Sequence, residues 1–317
     1  MTLPFEQLFD EHRRFLWGVS YRMTGSAADA DDIVQDTFVR AMEHPPRRTE
    51  EPVRPWLVKV ALNLSRDVLR RRKHRDYTGP WLPSPIDTSD ESAPPSHEPS
   101  VDGRETLEAR YDLLESVSLA FLVALEQLTS RQRAVLLLRD VFDYSVKETA
   151  DALELSEPNV KTTHHRARRI MEAYDRQRLP PTRSVQDASR HALFQFLQRL
   201  EANDVAGVQA LLADDVRTTT DGGGEFRSAL RIIDGRDKVA RFYLAVKDFG
   251  QGFTTHVMTL NGLPAMVIDV EIVPPGVATR SVMQVDVDTT GNIRHIYVVS
   301  ATPKLSALNE ALARRSV

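Results

Sequence analysis

Cysteine is absent from the 317 residues of this chain, and this absence excludes several classes of protein at once. The chain cannot form a disulfide, use a thiolate nucleophile or bind zinc through sulfur. Aromatic residues make up only 7%. No apolar run approaches the ~18 residues of a membrane-spanning helix, and no secretory pattern opens the sequence. We therefore expect a cytoplasmic protein that needs neither a metal nor another cofactor.

Positive charge is in slight deficit overall but is concentrated in one segment. The formal net charge is -4, so the chain is not one that coats DNA non-specifically. Between Arg54 and Arg75, however, eight basic residues accompany a single acidic residue, Asp67. Apolar residues recur at helical spacing on the opposite side, which predicts an amphipathic helix with one cationic face. Such a face suits a polyanion such as nucleic acid, although a merely solvated helix face is the alternative at this point.

Proline separates the segments of the chain. Residues 5–75 show helical periodicity, interrupted at Pro45 and Pro46. Residues 76–106 are rich in proline, serine and acidic residues, which predicts an extended, mostly disordered linker. Within this linker Trp81 and Leu82 are costly to expose, so they either dock onto a folded surface or collapse locally. A second helical segment is predicted at 107–178.

The stretch from Ser145 to Tyr174 has the pattern of a helix-turn-helix. A short amphipathic helix ends at Leu153, Leu155 and Ser156 form the turn, and a longer helix follows. The second helix exposes polar and basic side chains that suit base edges and phosphates in a major groove. An ordinary helical hairpin is the alternative interpretation.

Two sequence motifs precede the helix-turn-helix, DADDIVQDTFVRAM and then PWLVKVALNLSRDVLRRRKHR. In this order they resemble the extracytoplasmic-function (ECF) sigma factors of bacterial RNA polymerase. The resemblance implies that residues 1–75 are sigma region 2, which binds core polymerase and recognises and melts the −10 promoter element. Residues 107–178 would be region 4, which reads the −35 element. A one-component transcriptional regulator with a ligand-sensing C-terminal domain is the alternative.

The resemblance, taken with the exposed helix faces, gives three sets of candidate site residues. The candidates for binding DNA at the −10 region are Arg54, Trp56, Lys59, Asn63, Arg66, Arg70, Arg71 and Lys73. The candidates for the −35 region are Asn159, Lys161, Thr162, Thr163, His165, Arg166 and Arg169. The implied partners in the polymerase are the coiled-coil clamp helices of the β′ subunit and the β flap. An acidic and apolar helix face supplies the candidates for this contact, Asp29, Asp32, Ile33, Gln35, Asp36 and Phe38.

The remaining sequence predicts a different kind of fold. Helical periodicity at 187–201, 203–213 and 235–247 is followed by four alternating or apolar runs between 253 and 300, separated by turn signals. We expect an α+β domain at 187–300, in which a curved antiparallel sheet wraps around a helix; the pattern resembles the SnoaL-like cone fold. Some relatives of that fold are enzymes that use Asp/His pairs. The scattered candidates here form no visible constellation, so we predict no catalytic residue and leave open an unknown small ligand; they are Asp221, Asp234, His256, Asp269 and His295.

Three short segments resemble marks of the sigma subfamily that carries a fused SnoaL-like domain. They are WLPSP at 81–85, DGGG at 221–224 and ATPKL at 301–305. The resemblance implies regulation in cis, without a separate anti-sigma protein. Our hypothesis is that the C-terminal domain packs on the sigma domains and holds them too close together to span both promoter elements, with the tail at 301–317 tuning this balance. The candidate regulatory residues are Trp81, Leu82, Pro83, Asp221, Gly222, Gly223, Gly224 and Lys304.

Overall fold

The computed structural model describes residues 5–44, 53–73, 77–89 and 112–315 of the chain. Within these ranges the chain divides into two compact units. The helical unit contains residues 5–73, 112–117 and 121–176. The α+β unit contains Tyr77–Ser89, Ser118–Ala120 and 177–315. The predicted break at Pro45 and Pro46, and most of the predicted linker after Ser89, lie outside the described residues.

Three helices form the first half of the helical unit: α1 (Phe5–Thr24), α2 (Ala27–Glu43) and α3 (Val53–Lys73). Ser26 begins α2 as its N-cap, because its side chain accepts a hydrogen bond from the Asp29 N–H at 3.2 Å. The apolar stripes of the three helices meet in a shared core that includes Leu16, Ile33 and Leu62. The basic segment therefore forms the predicted amphipathic helix.

Further helices follow along the chain: α4 (Leu119–Leu125), α5 (Ser130–Leu136), α6 (Val146–Leu153) and α7 (Glu157–Gln177). Capping boxes begin α5 at Thr129 and α6 at Ser145, where each N-cap hydroxyl and the N3 side chain satisfy backbone N–H groups reciprocally. Glu154 ends α6 with a left-handed φ of 54°. Helices α6 and α7 form the predicted helix-turn-helix.

The α+β unit combines helices with one six-stranded sheet. Its elements are α8 (Arg183–Glu201), α9 (Val205–Ala210), β1 (Leu212–Asp221), β2 (Ile233–Asp234), α10 (Arg236–Val246), β3 (Gln251–Leu260), β4 (Leu263–Ile272), β5 (Arg280–Val287), β6 (Ile293–Val299) and α11 (Ser306–Arg315). Helix α8 packs on β4 and β5, and α10 packs on β1. Phe196 and Tyr243 meet edge to face in the core between helices and sheet, with ring centroids 5.2 Å apart.

The order of the sheet is β2-β1-β6-β5-β4-β3. All neighbouring strands are antiparallel except β1 and β6, which run parallel from Arg217 opposite His295 to Asp221 opposite Val299. The predicted α+β fold with a mostly antiparallel sheet is thus confirmed. Because β1 and β6 end side by side, Asp221 lies next to Ser300, where the backbone turns towards α11.

The sequence pattern did not predict strand β1. It predicted a helix that ends at residue 213 and no strand before residue 253. The sequence of β1, LADDVRTTTD, offers few apolar residues, and the side chains buried in its second half are three threonines and Asp221. Thr218 is buried because its hydroxyl hydrogen-bonds to the Tyr243 hydroxyl at 2.6 Å. A polar strand whose hydroxyls are satisfied inside the core shows no hydrophobic alternation, so the pattern missed it.

Candidate functional site

The cationic face of α3 divides into two parts. Asn63, Arg70, Arg71 and Lys73 are exposed, whereas Trp56 and Arg66 are half-buried. The other part is engaged by the helix-turn-helix half of the same unit: Lys59 Nζ lies 2.6 Å from a Glu154 carboxylate oxygen, and the Arg54 side chain hydrogen-bonds to Tyr144. Arg54 also lies over the Phe15 ring, with its Cζ 4.2 Å from the ring centroid. Only the exposed part of α3 is therefore accessible to a polyanion in this arrangement.

The second helix of the helix-turn-helix, α7, presents its polar candidates outward. Val160, Ala167 and Met171 anchor the buried side of this helix. The exposed candidates are Asn159, Lys161, Thr162, His165, Arg166 and Arg169, and Thr163 is half-buried. The Thr162 hydroxyl donates to the Pro158 carbonyl at 2.9 Å. Lys161, Arg166 and Arg169 are the long, exposed cationic side chains among these candidates.

The polymerase-contact candidates on α2 need a correction. Asp32, Gln35 and Asp36 are exposed and Asp29 is half-buried, but Ile33 and Phe38 are only 3% and 2% exposed. Phe38 packs on Phe9 with ring centroids 4.8 Å apart. These two side chains belong to the core of the unit and are not on the surface that α2 exposes, so the contact proposed below does not include them.

Two other apolar side chains of α2 are exposed beside the acidic residues. Val39 is 44% exposed and Met42 is 55% exposed. They follow Asp32, Gln35 and Asp36 at spacings of three or four residues, so they share one face of the helix. This set, Asp32, Gln35, Asp36, Val39 and Met42, is called the α2 face below.

Buried arginines join the two halves of the helical unit. Arg133 of α5 donates to the Met23 carbonyl at 2.8 Å, and Arg22 of α1 donates to the Ser116 hydroxyl at 2.9 Å. Burial lowers the pKa of Arg22 to about 10, which leaves its charge intact at neutral pH. Arg72 Nη2 of α3 donates to both carboxylate oxygens of Glu126 at 2.7 Å. Sequence reasoning missed these contacts, although Arg22 stands inside an otherwise apolar stretch.

In the α+β unit the segment Tyr77–Ser89, called the strap below, is hydrogen-bonded along the sheet. The Ile86 N–H donates to Asn261 Oδ1 at 3.0 Å, and the Asn261 N–H donates back to the Ile86 carbonyl at 3.0 Å. The Thr88 N–H donates to the Thr259 carbonyl at 2.9 Å. Leu82 and Pro83 are buried. The strap is thus an ordered part of this unit. Trp81 and Leu82 dock onto a folded surface, which was one of the two alternatives left open for them, and the rest of the strap to Ser89 is ordered although its composition predicted a mostly disordered linker.

A buried ion pair fixes the middle of the strap. Lys304 Nζ donates to Asp221 Oδ2 at 2.5 Å and to the Leu82 carbonyl at 2.5 Å, and it lies 4.2 Å from the Trp81 ring centroid. Asp221 also accepts from the Tyr77 hydroxyl at 2.5 Å and from the Leu82 N–H at 2.7 Å. The side chains of Lys304 and Asp221 are 10% and 0% exposed. These five residues are called the latch below.

The glycines after Asp221 allow the loop to pass close to its neighbours. A Cβ on Gly222 would lie 2.5 Å from the Phe226 carbonyl oxygen, and one on Gly223 would lie 2.8 Å from Ala301 Cβ. Gly223 has a φ of 64° and Gly224 a φ of 77°, and Gly224 approaches Thr78 of the strap. The structure therefore brings Trp81, Leu82, Lys304 and the loop at 221–224 together, and Pro83 is buried next to Leu82 in the strap.

Comparison with known proteins identifies two segments of the chain. The family model for sigma-70 region 2 matches residues 8–75, and that for sigma-70 region 4 matches residues 118–171. The ECF RNA polymerase sigma factor SigJ of Mycobacterium tuberculosis is 34% identical over 247 residues, which cover 77% of this chain and 74% of SigJ. The chain belongs to the ECF sigma factors of RNA polymerase. SigG of the same organism is 36% identical over 62% of this chain and 55% of its own length.

A solved structure extends the likeness of this ECF sigma factor to its C-terminal unit. The crystal structure of M. tuberculosis SigJ matches with a TM-score of 0.70 at 25% identity and covers 96% of this chain and 99% of that one. The predicted membership of the subfamily with a fused C-terminal SnoaL-like domain is thereby confirmed. As a sigma factor, the protein directs core RNA polymerase to promoter DNA. The one-component regulator is not favoured, because it leaves the region 2 match unexplained.

The acid and base candidates of the α+β unit lie in separate contacts. Asp234 pairs with Arg217 at 2.7 Å, and Asp269 pairs with Arg280 at 2.6 Å with His256 3.9 Å away. His295 hydrogen-bonds to the Thr219 hydroxyl at 2.8 Å. Within the described ranges no group of three or more His, Asp or Glu side chains is placed to hold a metal, and no helix is long and apolar enough to cross a membrane.

Proposed function

We propose that the α+β unit regulates this ECF sigma factor in cis by holding the connection between its two promoter-binding regions. The observation that carries the proposal is the latch, which fixes the strap. The strap follows α3 of region 2 and precedes the helices of region 4 in the chain. Whatever holds it therefore limits how far the two regions can separate.

The distance between the two promoter elements shows why a limit on the separation of the two sigma regions would matter. Elements centred near −10 and −35 lie about 25 base pairs apart, or roughly 80 Å at about 3.4 Å per base pair. The strap could contribute roughly 45 Å to the reach of the connection if extended at about 3.5 Å per residue. While the latch is closed, the hydrogen bonds along the strap fix the distance between its ends. Opening the latch frees the strap to extend.

The contacts inside the helical unit support a closed resting state. Lys59 of the −10 helix is paired with Glu154 of the helix-turn-helix, and Arg72 is paired with Glu126. Regions held against each other in this way are not placed to bind two separate DNA elements. Because the α+β unit is tethered to its own target, even a weak contact with the strap is well populated.

When the regions separate, the exposed residues of α3 and α7 are proposed to contact promoter DNA. On α3, Asn63, Arg66, Arg70, Arg71 and Lys73 would follow the non-template strand, with Lys59 and Arg54 joining them after release from Glu154 and Tyr144. Trp56 stands at the start of this row and could stack on a base. On α7, Asn159, Lys161, Thr163 and Arg166 would read the −35 element, with Thr162, His165 and Arg169 contributing phosphate contacts.

The α2 face is proposed to bind the clamp helices of the polymerase β′ subunit, and region 4 the β flap. Acidic residues beside exposed apolar ones repel DNA and suit a protein partner.

A protein that works with polymerase on promoters is expected in the cytoplasm. We propose no catalytic role for the α+β unit, since its Asp and His candidates are occupied in separate contacts.

Run-off transcription with purified core polymerase tests the regulation. The full chain is compared with its Lys304→Met variant and with a chain ending at Arg178. We expect promoter-specific transcripts from all three, with several-fold more from the two forms that lack a closed latch. Equal output from all three would refute regulation by the latch and leave the sigma activity standing. Lys238→Met, an exposed lysine of α10, is the matched control.

Permanganate footprinting of the same promoter tests the role of α3. Arg66→Glu with Arg70→Glu should abolish the open complex, because both changes place a negative charge beside the separated strand. Arg14→Glu, at an exposed site on α1, should leave melting unchanged. Normal melting by the double variant would contradict the assignment.

A further inference from the structure

The α+β unit contains a cavity of about 770 Å³ between its helices and the concave side of the sheet. This volume is in the range of sites for small organic ligands, roughly 300–1,000 Å³. The wall is mainly apolar, with Leu197, Phe242, Ile268 and Met283 in its inner part. Phe249 and Phe253 also line it, although they are 44% and 53% exposed. Large aromatic side chains kept in water beside an apolar cavity point to a ligand that covers them.

Polar groups converge on one part of this wall. Arg227, Ser228, Thr220 and Ser300 line the cavity where the loop after β1 meets the end of β6. Arg227 is exposed and has no carboxylate partner among the described residues. The other charged residues of the wall belong to different elements: Lys247 is paired with Asp248 at 2.7 Å, and Glu201 ends α8. A guanidinium that shares this wall with three hydroxyls, and that no carboxylate of the wall pairs with, favours an anionic group such as a carboxylate.

The same wall forms the back of the latch. Thr220 lines the cavity, and the next residue, Asp221, accepts hydrogen bonds from the strap. Ser300 lines the cavity, and the next residue, Ala301, contacts Gly223 behind the latch. The Thr220 hydroxyl also accepts from the Ala229 N–H at 2.8 Å, which ties the Arg227 end of the loop to β1. A ligand that moves this loop therefore moves the residues that hold Asp221.

We propose that this cavity binds an amphipathic small molecule with an apolar body and an anionic head. The apolar body lies against Phe242, Ile268 and Met283, and Arg227 with Ser228 receives the head. Occupancy of the cavity shifts the 222–229 loop and opens the latch. The proposal that a ligand binds depends only on the cavity. The proposal that binding changes transcription also rests on the proposed function.

Calorimetric titration of the full chain with dodecanoate, below its micelle concentration, tests the site. We expect saturable binding of one dodecanoate per chain, with no comparable binding of dodecyltrimethylammonium. Ser281→Trp fills the cavity from β5 and should abolish binding, while its circular dichroism shows whether the fold is kept. Arg227→Gln should weaken binding about tenfold, and Arg231→Gln, at an exposed site in the same loop outside the wall, should not.

Three results would overturn the site: no binding, binding that survives Ser281→Trp in a folded protein, or equal losses from Arg227→Gln and Arg231→Gln. Limited proteolysis of the strap tests the link to the latch. Saturating dodecanoate should speed cleavage within 77–89 in the parent chain and not in Ser281→Trp. Unchanged or slower cleavage with dodecanoate bound would refute the link. The Lys304→Met experiment above tests the latch without any ligand, so the two proposals can fail separately.

Discussion

Lys304 and Asp221 meet in a site from which solvent is excluded, so each side chain is costly to leave without the other. Lys304 also makes contacts that a simple ion pair lacks, since it lies against the Trp81 ring and donates to the Leu82 carbonyl. One side chain from the end of the α+β unit thus binds a strand end and the strap together. Lys304 thus contacts a segment that is 222 residues away in the sequence.

Replacement of Lys304 by methionine should destabilise the α+β unit and release the strap. Methionine keeps the apolar stem but leaves the buried Asp221 carboxylate without a cation. We expect a loss of about 3 kcal/mol in the free energy of unfolding, the lower end for a broken buried pair, because the Tyr77 hydroxyl and Leu82 N–H still reach Asp221. Urea unfolding measures the loss, and proteolysis within 77–89 reports the release. A stable variant with a protected strap would contradict this account.

The stability of the α+β unit should fall in mild acid because of His295. Burial, followed by the nearby charges of Arg217 and Arg294, lowers the pKa of His295 from 6.5 to about 3. Between these values the unfolded chain binds the extra proton, so the free energy of unfolding decreases as the pH falls from 6.5 towards 3. Burial raises the pKa of Asp286, which acts in the opposite sense.

The difference between the parent chain and His295→Gln isolates the contribution of the histidine. Urea unfolding at a series of pH values between 4 and 7 should show a smaller slope for His295→Gln than for the parent. Identical slopes for the two chains would contradict the burial of a neutral imidazole.

At the scale of helices, α2 separates residues that build the core from the exposed residues proposed to contact the polymerase. Met42→Glu and Val39→Glu should weaken binding to core polymerase about tenfold or more while the fold is retained, because both side chains are exposed. Ile33→Asp should instead unfold the region. Fluorescence anisotropy with labelled core polymerase measures the affinity. Undiminished binding by both surface variants would exclude the α2 face as the contact.

The spacing of apolar residues was sufficient to predict α1–α3 and the helix-turn-helix, because in an amphipathic helix this spacing identifies the buried face. It was not sufficient to assign Ile33 and Phe38, because a helix packed on two neighbours buries a wider face than one apolar stripe suggests. β1 escaped prediction because its buried threonines are satisfied by hydrogen bonds that only the fold supplies.

The candidate sites show the same division between local and distant information. The cationic face of α3 could be predicted, because it depends on residues close together in the sequence. The pairing of Lys59 with Glu154 could not be predicted, because it depends on how two distant helices pack. The motifs at Trp81, Asp221 and Lys304 were recognised separately through resemblance. Their convergence on one ion pair is information that the fold alone provides.

At the scale of the whole molecule, opening should be measurable as a change in distance between the two sigma regions. Since the chain has no cysteine, Glu43→Cys and Glu172→Cys provide two unique labelling sites, both exposed. Glu126→Gln removes the charge that pairs with Arg72 and Arg133. We expect it to lower energy transfer between the dyes, because charge-assisted hydrogen bonds between the halves are lost.

Glu157→Gln, at an exposed site in the first turn of α7, is the control for this measurement. Energy transfer should be unchanged in the control and should fall further when core polymerase and promoter DNA are added to the parent. A constant transfer efficiency in every sample would mean that the two regions do not separate.

The parallel pairing of β1 with β6 has a consequence for the order of events on the ribosome. Strand β1 cannot take its place in the sheet until β6 has been synthesised, and Asp221 must wait for Lys304. At about 5–20 residues per second, the roughly 130 residues between Gln177 and Lys304 take on the order of ten seconds to synthesise. The helices of regions 2 and 4 are therefore synthesised before the latch can form. Under the proposed regulation, each newly made molecule would pass through an interval in which the latch is not yet formed, and the rate of translation would set the length of that interval.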